Sequence, residues 1–311
     1  MTSHTHVDKK RSRDQPLVSI GIPTYNGARR IGAAVKSILG QSYSNVEIVI
    51  SDNSSSDDTE SVCAALSEKY PQIHYYRQFE NIGIIPNFEF VRAKARGELF
   101  MWIGDDDCLE PGILSKYVEF LGSHPGYVLV SGQIRYWSGE QSVFDERDFT
   151  IEHDAKDVRV VRYYYKVKHG AIFYGLMPMA TARRIALQNR MGEDWHFVAK
   201  AAFIGKIKML NCIGYHKKLN GSSKTLRHYA KVIGASSFSA AFPHFQIALD
   251  AFREIMTSSF YDEKTTWAKL MLAANSAGSV LFNHYCREYP FIIGGKIRRW
   301  MGLKKPMLLS R

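Results

Sequence analysis

Three adjacent carboxylates, Asp105, Asp106 and Asp107, directly follow the apolar run at 99–103. Like charges this close raise one another's pKa unless a cation lies among them. Mg²⁺ and Mn²⁺ prefer oxygen ligands and commonly share their coordination with substrate phosphates. An Asp-rich turn in solvent is the simpler interpretation, but the preceding run has no polar alternation and therefore predicts a strand buried on both faces. The sequence thus favours a cation site at the end of a core strand.

Two other polar loops follow apolar runs that predict strands. Asp52 and Asn53 come after the run at 46–51, and Tyr25 follows the run at 17–22. A carboxylate at a strand end can accept a hydrogen bond from a base or a ribose hydroxyl, with capping of the next helix as the alternative for Asp52. The ring of Tyr25 could stack on a base. These loops predict a nucleotide site.

No glycine-rich phosphate loop accompanies these residues. The segment after the first predicted strand, Pro23 to Gly27, matches neither the dinucleotide fingerprint nor a P-loop. A nucleoside diphosphate would therefore need a metal to neutralise its charge. The same loop lacks the glycine-rich, basic character that a sugar-phosphate nucleotidyltransferase needs, which counts against that class of enzyme.

Strands and helices alternate through the first half of the chain. Apolar runs and helical periodicity predict strands at 17–22, 46–51, 73–77, 99–103, 127–133 and 207–213. The alternation predicts an α/β fold whose mostly parallel sheet carries helices on both faces and binds ligands beyond the carboxyl ends of its strands. Residues 138–168 are expected to form an excursion over the site.

The pattern of the second half is different. A shorter unit is expected at 171–174, with helices at about 180–188 and 193–204. After Ser223 the periodicity predicts helices without strands, near 226–242, 244–258 and 263–285.

The net charge of +11 is concentrated near the two ends of the chain. Residues 292–311 contain six basic residues and no acidic one, and residues 1–15 contain four basic and two acidic residues. A nucleic-acid enzyme would more often carry its excess charge on the folded face, so no nucleic acid partner is expected. Basic ends beside apolar residues fit an anionic membrane surface, with solubilising tails as the alternative.

Cysteine placement and hydropathy indicate the compartment. The four cysteines lie far apart, which argues against a metal ribbon or redox pair and fits a reducing environment. Residues 1–15 lack the apolar core of a signal peptide, and no run of about 18 apolar residues predicts a membrane span. We expect a cytoplasmic protein that is peripheral on the inner membrane if its basic ends bind lipid.

The motifs together resemble those of glycosyltransferase family 2, whose members have the GT-A fold. The matching segments occur in order and in strand context; they are Val18–Asn26, Ser51–Thr59, Asn81–Gly83 with Asn87, Gly97–Glu98 and Gly104–Asp107. The resemblance covers about residues 16–220. We predict a disordered basic N-terminus at 1–15, a GT-A domain at 16–223, and a helical C-terminal region at 224–311 with a basic membrane-proximal tail.

The resemblance implies a role for each matching position. The nucleotide-sugar site would contain Pro23, Thr24, Tyr25, Asp52, Asn81, Gly83, Asn87, Asp105 and Asp106. Mg²⁺ or Mn²⁺ would be held by Asp105 and Asp107, with His216 as a further ligand or a phosphate donor. Because a triplet allows two registers, the working pair of aspartates stays open. Lys217 would be a charge partner in the same region.

A second acidic pair, Glu193 and Asp194, begins a predicted helix and resembles the family's catalytic-base segment. Inverting transfer is a single displacement, so a carboxylate must take the proton of the acceptor hydroxyl while the metal stabilises the departing diphosphate. We assign Asp194 as the base and Glu193 as the alternative. Without the upstream motifs, acids that merely favour the helix dipole would be the simpler interpretation.

The predicted activity is inverting, metal-dependent hexosyl or deoxyhexosyl transfer. One sugar would pass from a nucleoside-diphosphate sugar to a hydroxyl of a glycan or lipid-linked acceptor, in bacterial surface polysaccharide synthesis. The processive Q-x-x-R-W motif is not found, and the C-terminal helices resemble those of O-antigen sugar transferases. The alternatives are a sugar-phosphate nucleotidyltransferase and a non-catalytic sugar-nucleotide-binding protein, and Asp194 argues against the second.

Overall fold

The computed structural model describes residues 15–219, 229–230 and 232–287. The predicted basic tail, and the predicted disordered N-terminus apart from residue 15, lie outside these residues. Within the described part, two β-sheets with flanking helices are followed by a helical region. The predicted α/β class with a C-terminal helical extension is therefore confirmed.

The elements of the first half alternate as the sequence predicts. In chain order they are β1 (Val18–Thr24), α1 (Ile31–Leu39), β2 (Val46–Asp52), α2 (Thr59–Lys69), β3 (Ile73–Arg77), α3 (Ile84–Lys94), β4 (Leu99–Trp102), β5 (Cys108–Leu109) and α4 (Ile113–Ser123). The second half contains β6 (Tyr127–Ser138), β7 (Gln141–Glu146), α5 (Lys156–Lys166), β8 (Met177–Pro178), α6 (Met179–Arg184), α7 (Glu193–Ile204) and β9 (Lys206–Lys218). The helical region contains α8 (Ser237–Ala241), α9 (Pro243–Thr257) and α10 (Thr266–Leu281).

The first sheet has the strand order β3-β2-β1-β4-β8, in which only β8 is antiparallel. Every residue of β1, β2 and β4 is buried, as expected for the central strands of a sheet that is covered on both faces. Thr24 pairs with Asp52, and Gly21 pairs with Trp102. The loops that follow β1, β2 and β4 therefore leave the sheet at one edge.

A second sheet was not predicted. Its order is β5-β9-β6-β7, with β6 and β9 parallel and the other pairs antiparallel. The strand expected at 207–213 extends to Lys218, because β9 pairs along the whole of β6 and then with β5. His216 and Lys217 therefore lie on a strand, directly beside the segment that follows the acidic triplet.

Two segments in the middle of the chain contain elements that the sequence did not predict. Residues 138–168 include β7 and α5, and the face of α5 that carries Val160, Tyr163 and Tyr164 is buried. The apolar periodicity of this face was not apparent in the sequence, because charged residues flank the tyrosines. Residues 171–174 form a 3₁₀ helix, because Gly170 enters the segment with a left-handed backbone (φ +69°).

The C-terminal helices pack on the α/β part and on one another. α9 packs along α10, and α10 packs on α5. The helices predicted near 244–258 and 263–285 are confirmed, with a π-helical turn at Phe282–Arg287 after α10. Part of the helix predicted near 226–242 lies outside the described residues. None of the helices that the structure describes is long and apolar enough to cross a membrane.

Aromatic rings fill the core behind the acidic triplet. The ring of Trp102 is fully buried and stacks on Phe173 at 4.7 Å between centroids, with Phe100 and Phe197 edge-on at 4.7 and 5.4 Å. Its indole N–H donates to the Phe88 carbonyl at 3.1 Å. Trp102 is the last residue of β4, so this packing fixes where the triplet begins.

Trp102→Ala should lower the free energy of unfolding by about 3–5 kcal/mol, because it removes a buried ring that the neighbours cannot replace. The measurement is urea unfolding followed by circular dichroism. Phe79→Ala, at a fully exposed phenylalanine, is the matched control and should change stability little. Equal effects of the two substitutions would contradict this packing.

Candidate functional site

Asp105, the first carboxylate of the triplet, is held by partners from the first loop. Thr24 Oγ1 donates to Asp105 Oδ2 at 2.6 Å, and Arg30 Nη2 donates to the same oxygen at 2.9 Å. A Cβ on Gly27 would lie 2.2 Å from Thr24 Oγ1 and 2.5 Å from Asp105 Oδ2, so only glycine fits beside this pair. The loop after β1 is thereby tied to the end of β4.

Asp107, the third carboxylate, is held by β9. Asp107 Oδ2 accepts hydrogen bonds from the Tyr215 hydroxyl at 2.9 Å and Lys217 Nζ at 3.2 Å, and Asp107 Oδ1 accepts from the Lys218 N–H at 2.9 Å. Burial alone would lower the pKa of Lys217, but the charge of Asp107 holds that pKa above its usual value. Lys217 therefore keeps its positive charge at neutral pH beside the carboxylate of Asp107.

Asp106, between them, differs from both neighbours. Among the described residues no other residue forms a hydrogen bond or ion pair with its side chain, which bonds only to its own backbone N–H. Burial, then the charges of Asp107 and Asp105, raise its pKa to about 6, and Lys217 partly opposes this rise. A divalent cation at this carboxylate would favour its ionised form and so oppose the shift. Asp106 is thus the carboxylate of the triplet that remains open to a ligand.

The donor set fits a metal that needs substrate as well as protein. Within the described ranges no three His, Cys, Asp or Glu side chains are grouped to hold an ion. Mg²⁺ and Mn²⁺ are commonly bound through one or two carboxylates, with phosphate and water as the other ligands. The open carboxylate of Asp106 meets that requirement, whereas Asp105 and Asp107 use their oxygens inside the protein.

The predicted third ligand, His216, is engaged elsewhere. Its Nδ1 accepts the indole N–H of Trp137 at 3.0 Å, so Nε2 carries the proton, and it lies 2.5 Å from Glu110 Oε2. Metal coordination by His216 would have to displace one of these partners. Among the described residues, the ring of His216 makes no hydrogen bond or ion pair with Asp106.

The second polar loop is internally braced. Asp52 is fully buried and accepts hydrogen bonds from the Ser55 N–H, the Tyr75 hydroxyl and Arg77 Nη1 at 2.9, 3.1 and 3.3 Å. These partners lie outside α2, and the N–H of Thr59, the first residue of α2, instead donates to Asp57 Oδ1 at 3.1 Å. The capping alternative for Asp52 is therefore wrong, and its predicted contact with a base remains a prediction.

The predicted diphosphate border is held by amide side chains. Asn53 donates to Asn81 Oδ1 at 3.0 Å and accepts the Ile82 N–H at 2.9 Å, and Gly83 turns the chain with φ +90°. Asn87 is buried and bonded to Ser51, so it shapes the loop from behind. Pro23 and Thr24 are likewise buried, whereas Tyr25 is 47% exposed and leaves its ring accessible.

Asp194 lies at the first turn of α7, within electrostatic reach of the triplet. Burial raises its pKa to about 7, while the Trp195 N–H and the charge of Lys217 oppose the shift. Lys217 is the ammonium that contacts Asp107, and it lies 4.5 Å from the ring centroid of Tyr174. Burial, followed by both Asp107 and Asp194, also raises the pKa of Tyr174, to about 12. One ammonium therefore links the two acidic groups.

Glu193 has different surroundings from its neighbour. It is 2% exposed, and its Oε2 accepts from Arg190 Nε at 2.6 Å. Burial raises the pKa of Glu193, and the ion pair with Arg190 opposes that rise by favouring the ionised form. The surroundings of the two acids therefore differ: Arg190 binds Glu193, whereas the charge of Lys217 acts on Asp194.

Sequence reasoning missed Arg30, Tyr215 and Tyr174. Arg30 could have been found, because a cation at the start of a helix opposes the helix dipole and so implies a nearby anion. Tyr215 and Tyr174 depend on which strands pair, and periodicity does not give strand partners.

Comparison with known proteins places this site in context. A family model described as Glycosyl transferase family 2 matches residues 19–189. An uncharacterized glycosyltransferase of Rickettsia typhi is 26% identical over 186 residues, covering 57% of this chain and 55% of the relative. The GalNAc(5)-diNAcBac-PP-undecaprenol beta-1,3-glucosyltransferase of Campylobacter jejuni is 35% identical over 118 residues, covering 38% of each. The chain spans about half or less of the length of these curated relatives.

Solved structures share the fold. S. aureus TarS in complex with UDP-GlcNAc superposes with a TM-score of 0.53 at 17% identity, over 86% of this chain and 81% of that one. The mannosyltransferase PcManGT from Pyrobaculum calidifontis, in complex with GDP-Man and Mn²⁺, gives a TM-score of 0.56 at 17% identity, over 92% and 81%. The described residues therefore have the GT-A architecture.

Asp194→Asn should stabilise the protein increasingly as pH rises from about 4 to about 7. The folded pKa of about 7 exceeds the ordinary 3.8, so the stabilising proton is fully retained below about pH 4 and is lost through about pH 7. The gain at alkaline pH should be about 4 kcal/mol, measured by urea unfolding in metal-free buffer. Asp262→Asn, at an exposed acid, should show no such trend, and a pH-independent gain in Asp194→Asn would contradict the shift.

Proposed function

Because the chain belongs to glycosyl transferase family 2, we propose that it transfers one sugar from a nucleoside diphosphate to an acceptor hydroxyl, with inversion at the anomeric carbon. The observation that carries this proposal is the link through Lys217 between the carboxylate triplet and Asp194. One site can therefore stabilise a charged leaving group at the triplet and accept a proton at Asp194.

Asp194 is the proposed general base. Inversion in one displacement needs a group that takes the proton of the incoming hydroxyl, and such a group works best with a pKa near the working pH. Burial gives Asp194 a pKa of about 7. Glu193 is the weaker candidate, because Arg190 already binds its carboxylate.

We propose that Asp106 holds Mg²⁺ or Mn²⁺ together with the donor phosphates. When bound, the ion would offset the charge that develops on the departing diphosphate. Arg30 and Lys217 neutralise Asp105 and Asp107, so the triplet need not repel an anionic donor. Mn²⁺ in the structurally similar mannosyltransferase supports this assignment. Direct ligation by Asp105, Asp107 or His216 stays a prediction.

The proposed donor is a nucleoside-diphosphate sugar, with the base near Tyr25. UDP-GlcNAc and GDP-Man in the two solved structures support this class of donor. The exposed ring of Tyr25 offers a stacking surface, and the buried network at Asp52 holds the adjoining loop in place. Loop bracing keeps the pocket formed before the donor binds.

The proposed acceptor is lipid-linked, as in bacterial surface polysaccharide synthesis at the cytoplasmic membrane face. A groove of about 500 Å³ on the helical region is lined by apolar side chains: Phe238, Phe242, Phe245, Leu281 and Tyr285. It adjoins His244, which stacks on His284 and lies 5.9 Å from Trp195, the neighbour of the proposed base. The undecaprenol-linked substrate in the name of the Campylobacter relative supports this class of acceptor.

Asp194→Asn should reduce sugar transfer by about 10²–10⁴-fold, because Arg190 already binds the neighbouring carboxylate of Glu193. Binding of the nucleoside diphosphate should persist. Transfer is measured with a panel of nucleotide sugars and Mn²⁺, and binding by calorimetry. Asp262→Asn is the control and should keep wild-type transfer, whereas unreduced transfer in Asp194→Asn would exclude this base.

Phe242→Ser should weaken transfer to a polyprenyl-diphosphate-linked acceptor while leaving transfer to a short water-soluble glycan unchanged, because the groove binds only the lipid portion. Phe242 is 50% exposed, so the substitution removes a surface ring. Phe79→Ser removes a fully exposed ring outside the groove and is the matched control. Equal losses with both acceptors would rule out a lipid-binding groove.

A further inference from the structure

A buried cluster of four charges connects the helical region to α7. Arg190 contacts Glu193 at 2.6 Å and Glu254 at 2.8 Å, and Lys200 contacts Glu254 at 2.7 Å. Gln188 Nε2 donates to Glu254 at 3.2 Å. Glu193, Lys200 and Glu254 are only 2–7% exposed. Glu254 belongs to α9, so a C-terminal helix supplies the shared anion of this cluster.

The same helix contacts the segment that carries the base at two further points. We call residues 190–195 the catalytic turn. Gly192 has φ +66°, and a Cβ there would lie 2.7 Å from Ile247 Cδ1, which shows how closely α9 is packed on this turn. The His244 ring lies 5.9 Å from Trp195. His244, Ile247 and Glu254 are three and seven residues apart, so they share one face of α9.

The carboxylate that follows has little room to move. A Cβ on Gly170 would lie 2.2 Å from Asp194 Oδ2 and 2.7 Å from Trp195 Nε1. The catalytic turn is therefore confined by Gly170 on one side and by α9 on the other. A displacement of about 1 Å at a reacting group can reduce turnover by about 10²-fold.

We propose that Glu254 is a positioning residue for Asp194 and that α9 holds the catalytic turn in place. The C-terminal helices are then part of the catalytic apparatus, in addition to any contact with the acceptor. The proposal rests on the assignment of Asp194 as the base. It adds that a residue from a different region sets the geometry of that base.

The charge balance of the cluster explains how Glu254 would influence Asp194. The cluster pairs two cations with two anions, and removal of one partner from a buried ion pair leaves an uncompensated charge in the interior. Without the anion of Glu254, Arg190 and Lys200 carry one excess positive charge close to the catalytic turn. That charge would favour the ionised form of Asp194 and so lower its pKa.

The test compares Glu254→Gln with the wild type across pH. We expect kcat to fall about 10- to 100-fold with donor KM unchanged, and the acid limb of the kcat/KM profile to move to lower pH. Glu254→Asp keeps the charge and should restore the position of the acid limb. If Glu254 only stabilised the fold, the acid limb would stay at its wild-type position in Glu254→Gln, and Glu254→Asp would have no shift to reverse.

Asp157→Asn is the matched control. It breaks the 2.7 Å pair between Asp157 and Lys264, which also joins the helical region to α5 but involves no residue of the catalytic turn. It should keep wild-type kcat and pH dependence. The same loss of kcat in both variants, without a shifted acid limb in Glu254→Gln, would overturn the proposal.

Two further variants complete the test. If Glu254→Gln does not fold, Ile247→Ala takes its place: it loosens the contact on Gly192 without a change of charge, and should lower kcat with an unmoved acid limb. Wild-type kcat in Ile247→Ala would then overturn the proposal that α9 holds the catalytic turn in place. Asp194→Asn is measured alongside. An inactive Asp194→Asn with a fully active Glu254→Gln refutes only the positioning role, whereas an active Asp194→Asn refutes the assigned base and the positioning role with it.

Discussion

The crowding of three carboxylates at the end of β4 is the constraint on which the rest of the site depends. Three adjacent anions beside a buried strand repel one another, and the fold relieves this unequally. Arg30 pairs with Asp105 and Lys217 pairs with Asp107, at 2.9 and 3.2 Å. Asp106 is left with a raised pKa. The unequal pairing leaves Asp106 as the carboxylate that we propose to bind a cation.

The second sheet makes this arrangement possible. β5 follows the triplet directly and pairs with β9, with Leu109 opposite Tyr215. The pairing delivers the hydroxyl and ammonium donors of β9 to Asp107. Because Lys217 also lowers the pKa of Asp194, the same strand keeps the base titrating near neutrality. One ammonium thus acts on both the triplet and the proposed base, and α9 contacts the turn that carries this base.

Local sequence patterns were sufficient to identify candidate residues at the end of a strand or the start of a helix. The triplet, Asp52 and Asp194 were found because each follows a recognisable apolar run or begins a helix. Partners far apart in sequence were not: the ion pair of Arg30, and the contacts of His216 with Glu110 and Trp137, arise from tertiary packing. The distinction between Glu193 and Asp194 needed Arg190 and Glu254, which no spacing rule connects. The choice within the triplet likewise required knowing which oxygens the protein already uses.

The most direct measurement of the central claim is calorimetric binding of UDP, GDP and dTDP to the wild type and to Asp106→Asn, each with Mn²⁺ and after complete chelation. The account predicts that Mn²⁺ strengthens binding of the preferred diphosphate to the wild type and that Asp106→Asn loses this gain while remaining folded. Equal affinity of the wild type with and without the metal would contradict it, as would a full metal-dependent gain in Asp106→Asn.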